Sequence, residues 1–433
     1  MPLLFVGFGI LLLLALILLK VKPLYALVIV SVVVGLAEGL SLFATVQSIG
    51  FGVLDTLRNI ALVLCLGAMF GKMIETSKAA TTITTSLIQW FGEKNIHWAI
   101  MLTGLIVGIP LFYNAGFVIL IPLVFATASV ARVPLLWVGI PMAASLSVTH
   151  GFLPPHPGPT AIAGIFHADL GLTLLYGLII TIPTVIMAGP LFANALRKLS
   201  TALPPSTAQS ASTPVDLPKP FVSFSIALFP VLLMAVATLL QSWMKEGFVK
   251  KLLLFLGTPS IALGISLLLA IFIFGIRKQQ RPTEIYRLLF SSIKDIFLIV
   301  LVIAAGGGFK QVLVDSGVGA YIKDISAGFH FSPLLLAWSV AALLRVSLGS
   351  ATVAGLTAAG IVLPFVPASH PELMVLAVGA GSLMFSHVND TGFWMFKEYF
   401  NLSLKQTFLS WTMMETIVSI SGLLGVLILD SLI

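Results

Sequence analysis

The sequence predicts an all-α polytopic membrane protein of about 12 spans, built as two inverted-topology repeats with broken helices and re-entrant hairpins. Three observations predict it. Apolar runs of about 20 residues, each long enough for a bilayer core of about 30 Å, recur from end to end. Short motifs recur at a near-constant offset, and the apolar runs are interrupted at matching places in the two halves. With 58% hydrophobic and only 9% charged residues, the chain is too poor in polar side chains to cover a soluble fold.

The elements follow in order. The opening run, MPLLFVGFGILLLLALILLKVKP, carries its charges after the apolar stretch and has no small-residue cleavage site, so it reads as a retained helix rather than a signal peptide. The formal net charge of +7 does not indicate nucleic acid, because the basic residues lie at the ends of apolar runs and form no continuous face. They report topology instead. Lys20 and Lys22, Arg197 and Lys198, and the loop RKQQRPTEIYR at 277–287 all read as cytoplasmic, which puts the N-terminus in the periplasm. Cys65, the single cysteine, excludes an intramolecular disulfide and reads as a small packing residue. The polar stretch STALPPSTAQSASTPVDLPKP, 200–220, reads as a cytoplasmic linker between an N-terminal half, 1–199, and a C-terminal half, 221–433.

The repeat is seen in three places. RNIALVL from Arg58 resembles KDIFLIV from Lys294, GAMF from Gly67 resembles GGGF from Gly306, and SLSVTH from Ser145 resembles SLMFSH from Ser382, at offsets of 236 to 239 residues. The first copy begins outside and the second follows the basic loop inside, so the copies are inverted. GGGFK at 306–310 lacks the Gly-Lys-Ser/Thr ending of a phosphate loop, and its glycines read as a close helix contact. There is no metal-binding or serine-hydrolase motif, and neither an enzyme nor a cofactor is expected.

Two breaks interrupt each half: GIPLFYNAGF and THGFLPPHPGPT in the first, RVSLGSATVAG and SHVNDTGF in the second. Non-helical backbone is too costly against lipid, so such breaks line a polar cavity or lie buried in protein. Pro154, Pro155, Pro157 and Pro159 forbid a continuous helix, and the helix after them is expected to offer free N–H groups to an anion. Asp390 is the polar residue hardest to place by chance, since a carboxylate inside a membrane costs about 2.5 to 3.5 kcal/mol and faces a partner or a pathway unless it sits at a wet helix end. Arg345 either snorkels from a helix end or faces the breaks. His156 reads as a loop or site residue, and His150 and His387 recur at equivalent positions, with either a side-chain to backbone bond or ligand binding open to them. Asn114, Ser347, Ser350 and Thr352 are neutral donors and acceptors suited to a polyhydroxylated ligand.

At SLSVTHGFLPPHPGPTAIAGIFHADLG the chain resembles the gluconate permease family of proton symporters, within the wider ion transporter superfamily, and RVSLGSATVAG with SHVNDTGFWMFKEYF adds to the resemblance over essentially the full length. The resemblance implies a bacterial inner-membrane protein that imports gluconate, or a related acid such as idonate, fructuronate or D-serine, with protons. It also implies alternating access in an elevator-like homodimer. The expected substrate-binding residues are Asn114, His150, Gly151, Thr160, Arg345, Ser347, Gly349, Ser350, Thr352 and Asn389, and the expected proton-coupling residues are Asp390, His387 and His156. The alternatives are a sodium-coupled carboxylate transporter and a channel or accessory subunit of a membrane complex.

Overall fold

Proline and short polar side chains open the helices. The first half runs Pro23–Ala37 (α1), Leu42–Thr76 (α2), Ala79–Phe91 (α3), Ile96–Gly108 (α4), Tyr113–Val130 (α5), Leu135–Phe152 (α6), Pro157–Phe166 (α7) and Leu170–Ile186 (α8). The second runs Pro220–Gln241 (α9), Phe248–Gly257 (α10), Pro259–Ala270 (α11), Pro282–Asp315 (α12), Pro333–Leu348 (α13), Ala351–Val362 (α14), Pro371–Gly381 (α15), Thr391–Tyr399 (α16) and Met413–Asp430 (α17). This computed structural model describes residues 19–197, 217–241, 244–317, 332–366, 370–388 and 390–433, with positions 5, 8, 9, 11–13, 15 and 16, and among them there is no strand. Most of the expected linker, and Asn389, lie outside the described residues. Proline at the first turn of α1, α7, α11, α12, α13 and α15 removes an N–H that has no partner there. Ser41 and Asp169 cap α2 and α8 by accepting from the N–H groups of Ala44 and Leu172 at 3.2 and 2.7 Å.

The two copies of the repeat are visible as α2 with α12, α4–α5 with α13–α14, and α6–α7 with α15–α16. The long helices α2 and α12 pack on each other along their lengths. Ser48 Oγ donates to Asp315 Oδ2 at 2.6 Å near one end, while Gly52 and Thr56, further along α2, meet Gly307, earlier on α12. Equivalent elements therefore cross antiparallel, as inverted repeats require. The expected glycine contact is here. A Cβ on Gly52 would lie 2.3 Å from the Gly307 carbonyl oxygen, and one on Gly307 would lie 1.8 Å from Thr56 Oγ1. Gly52→Ala should accordingly destabilise the protein by about 1–3 kcal/mol through overpacking against backbone. Gly50→Ala, which meets nothing within 4 Å, should be neutral or slightly stabilising. Melting temperatures of the purified variants in detergent test the pair, and equal values for both would refute the close crossing.

Six helices are long and apolar enough to span a membrane, or seven if the bent pair Leu42–Arg58 and Ala61–Thr76 counts as one span, and six shorter apolar helices accompany them among the described residues. Their apolar side chains face outward where lipid would lie, as with Phe43, Phe51, Leu268 and Leu343. The broken segments lie inside. Leu135–Phe166, which contains the Pro-rich break, has 94% of its most apolar window buried, against 39% for Leu170–Ala195 and 33% for Pro282–Asp315. The interrupted backbone is thus surrounded by protein, one of the two settings at membrane depth where it is tolerated. Small residues allow that packing: the absent side chain of Gly379 leaves room for the Gly151 carbonyl, which a Cβ would approach to 2.4 Å.

Candidate functional site

Three interruptions in the helices set the geometry. Gly349 takes φ +74°, a left-handed turn that only glycine adopts freely, so α13 ends and Ser350 starts α14 by accepting from the Val353 N–H at 3.4 Å. In the first copy, residues 109–112 separate α4 from α5. In the second, residues 382–390 separate α15 from α16, and Asp390 caps α16 by accepting from the Gly392 N–H at 3.1 Å. The first residues of α5, α7, α14 and α16 all line one cavity of about 350 Å³. That volume lies in the range of small-molecule sites. Four helix N-termini converging on one space direct partial positive charge and unbonded N–H groups into it.

The helix after the Pro-rich break contributes less than the sequence led us to expect. It starts at Pro157, and with Pro159 also in its first turn only Gly158 there has a free donor. Helices α5 and α14, which carry no proline in that turn, supply the N–H groups instead.

Arg345 comes from the last turn of α13 and is 2% exposed, so it does not snorkel. Its Nη2 donates to Asp390 Oδ2 at 2.5 Å, while Nε and Nη1 have no protein partner. Asp390 Oδ2 also accepts from the Ser386 hydroxyl. Ser386 is fixed in turn by Trp411 Nε1, which donates to its hydroxyl at 2.8 Å, and by Thr412 Oγ1, which donates to its carbonyl at 2.6 Å. Both partners sit on the π turn Phe408–Thr412 that leads into α17, a widened turn of the kind that aims side chains at sites.

Of the residues singled out from sequence, Asn114, His150, Arg345, Gly349, Ser350, Thr352 and Asp390 line the cavity. Pro157 lines it too, Asn389 lies outside the described residues, and Gly151, Thr160, Ser347, His156 and His387 are elsewhere. Gly151 packs against Leu383 and Gly379, and its role is helix contact. Thr160 is buried within α7 away from the wall, and the Ser347 hydroxyl donates to the Leu343 carbonyl at 3.0 Å on an exposed face of α13. His156 is buried rather than in an open loop, its Nε2 bonded to the Gly108 carbonyl at 2.8 Å, and His387 Nε2 bonds the Val346 carbonyl at 2.9 Å. Each ties the break of its repeat to the end of the preceding hairpin helix, α4 or α13. The sequence register pairs His387 with His150, but the residue that does the same work is His156.

Tyr113, Ser147, Trp411 and Glu415 also line the cavity and were not singled out. Glu415 is 2% exposed and accepts a hydrogen bond from Ser147. A signal for it existed: it is the lone charged residue in the apolar run FLSWTMMETIVSISGLLGVLIL, and the cost argument applied to Asp390 applies equally there.

A helical membrane protein with paired broken segments around a cavity lined by helix N-termini and a buried arginine belongs to the class of membrane transporters. Comparison with known proteins agrees. The GntP family permease model matches residues 1–433. The chain is 50% identical over the full length of both chains to the Gnt-II system L-idonate transporter of Escherichia coli and, equally, to a high-affinity gluconate transporter of the same organism. It is 46% identical to a gluconate permease of Bacillus subtilis, again covering both chains completely. The chain is a member of the GntP permease family, a multi-pass bacterial inner-membrane transporter of the gluconate and sugar-acid group, and not an enzyme. Among solved structures it resembles MtrF of Neisseria gonorrhoeae, with TM-score 0.66 at 13% identity over 94% of each chain. The YdaH transporter of Alcanivorax borkumensis matches with TM-score 0.59 at 15% identity over 89% of this chain and 88% of that one. At these identities the likeness is one of fold.

Proposed function

We propose that the protein imports gluconate or a closely related sugar acid by proton symport, through alternating access. The observation that carries this reading is the ion pair of buried Arg345 with half-buried Asp390 in a cavity ringed by helix N-termini. The substrate carboxylate takes the guanidinium of Arg345, whose Nε and Nη1 have no protein partner, with α14 donors beside it. Asp390 is the coupling group. While ionised it competes for Arg345; once protonated it releases the guanidinium to the substrate. Proton and substrate then favour each other's binding by the same factor, which is the condition for coupled transport. Relatives named for gluconate and for L-idonate stand at equal identity, so the reading commits to the sugar-acid class.

Uptake of labelled gluconate into membrane vesicles, with pH and Na⁺ gradients imposed separately, tests it. Accumulation should follow the pH gradient and need no Na⁺; a strict Na⁺ requirement overturns proton symport, and passage without accumulation would make the protein a channel. The same reading holds a homodimer with a periplasmic N-terminus and a cytoplasmic linker at 200–220. In a Cys65→Ala background, Ser210→Cys and Gln280→Cys should resist an impermeant thiol reagent added to intact cells, and ready labelling of either refutes that orientation.

A further inference from the structure

We propose that Tyr113, His150 and Glu415 form a subsite that reads the hydroxyl groups of the substrate, on a different part of the cavity wall from the Arg345 guanidinium that takes its carboxylate. The inference rests on the sugar-acid reading above and assigns that site's selectivity to residues of α5, α6 and α17.

Five of the buried polar atoms that lack a protein partner gather in one place. Arg345 Nε and Nη1, Tyr113 Oη, His150 Nδ1 and Glu415 Oε2 are all in this group, and all four side chains line the same cavity. An unsatisfied buried polar atom costs about 1–3 kcal/mol, so a wall that keeps five of them together is built for a ligand that bonds them. Their chemistry divides in two. The Arg345 atoms are charged donors and suit a carboxylate. A phenol, an imidazole nitrogen and a carboxyl oxygen each exchange hydrogen bonds with an alcohol, and none offers a fixed positive charge for a second acid group.

The subsite is held firmly by its surroundings. The Tyr113 ring lies edge-on to Trp411 at 5.8 Å and to His150 at 6.3 Å, and His150 is edge-on to His156 at 5.4 Å. Glu415 is fixed by the Ser147 hydroxyl on its other oxygen and lies within electrostatic reach of Arg345 and Asp390. The subsite and the carboxylate site thus face one bound molecule. An acid without hydroxyls strands the three groups, and a site of this kind rejects such an analogue strongly.

Tyr113→Phe removes one oxygen that bonds nothing in the protein, so folding should be undisturbed. Glu415→Gln keeps shape and supplies a second variant. Each purified full-length chain is titrated calorimetrically with gluconate and with hexanoate, a six-carbon acid that lacks hydroxyls. Wild type should prefer gluconate by about 100-fold or more. Tyr113→Phe should weaken gluconate by about five- to thirty-fold, leaving hexanoate within about twofold and the melting temperature of the ligand-free protein unmoved. Glu415→Gln should shift the same preference in the same direction. Gluconate affinity kept within twofold in both variants, or a parallel loss for both acids, overturns the subsite. Failure of wild type to bind any sugar acid overturns the reading it rests on as well, and is seen before any variant is made.

Discussion

Arg345→Gln should raise the KM for gluconate by about 100-fold or more, the largest loss of affinity expected from any single change in this protein. The substrate loses its carboxylate partner, and half-buried Asp390 is left without its counter-charge and repels the incoming anion. Arg345→Lys keeps the charge but not the planar fork, and should fall between, near tenfold. The two causes can be separated. In Arg345→Gln/Asp390→Asn both charges are gone, so stability in detergent should return toward wild type while gluconate affinity stays low. If the double variant recovers gluconate uptake, Arg345 holds the fold and the carboxylate is bound elsewhere in the cavity.

Asp390→Asn should abolish gradient-driven accumulation and spare substrate exchange. For an electroneutral symport of one proton with one anion, a gradient of one pH unit supports about tenfold accumulation. The variant should reach a ratio of about one. Asparagine is an effective N-cap, so α16 keeps its first turn, and its neutral side chain resembles the protonated acid that releases Arg345. The pH profile gives a second readout. In wild type the gluconate KM should climb as external pH rises, because the co-transported proton becomes scarce; in the variant it should be flat. Accumulation at the wild-type ratio, with an unchanged pH profile, removes Asp390 from the coupling.

Much of the architecture was legible because a bilayer leaves a chain few choices. Apolar runs must be helices, and interruptions in them must be buried or wet, so the positions of breaks can be read directly from Pro, Gly and polar residues. For the same reason an ionisable residue in such a run stands out: Arg345 and Asp390 were legible, and Glu415 was legible by the same cost and was passed over. GGGFK was legible as a helix contact, since glycines without the rest of a phosphate loop have one other common use in membrane helices. The motif offset disclosed two copies, and α2 crossing α12 antiparallel follows from their inversion.

What tertiary structure decided is which residues meet. Arg345 and Asp390 are 45 residues apart, and only the fold of the second repeat brings Nη2 within 2.5 Å of the carboxylate. Ser147 and Glu415 are 268 apart and join α6 to α17 across the halves. The roles of the histidines turned on position as well: His150 and His387 share a register, yet His156 and His387 share a carbonyl bond, because a break of several residues decouples sequence offset from direction in space. Gly151, Thr160 and Ser347 sit in motifs that also contain cavity residues, but successive helical side chains are about 100° apart, so neighbours in sequence face different surroundings. Sequence alone determined that this is a polytopic helical membrane protein with breaks at fixed places, since solvent and composition dictate both, and the resemblance of its motifs to the gluconate permease family pointed to its kind. Which side chains enter the cavity, and which are left there without a partner, depended on helix rotation and packing between distant segments, which no local pattern encodes.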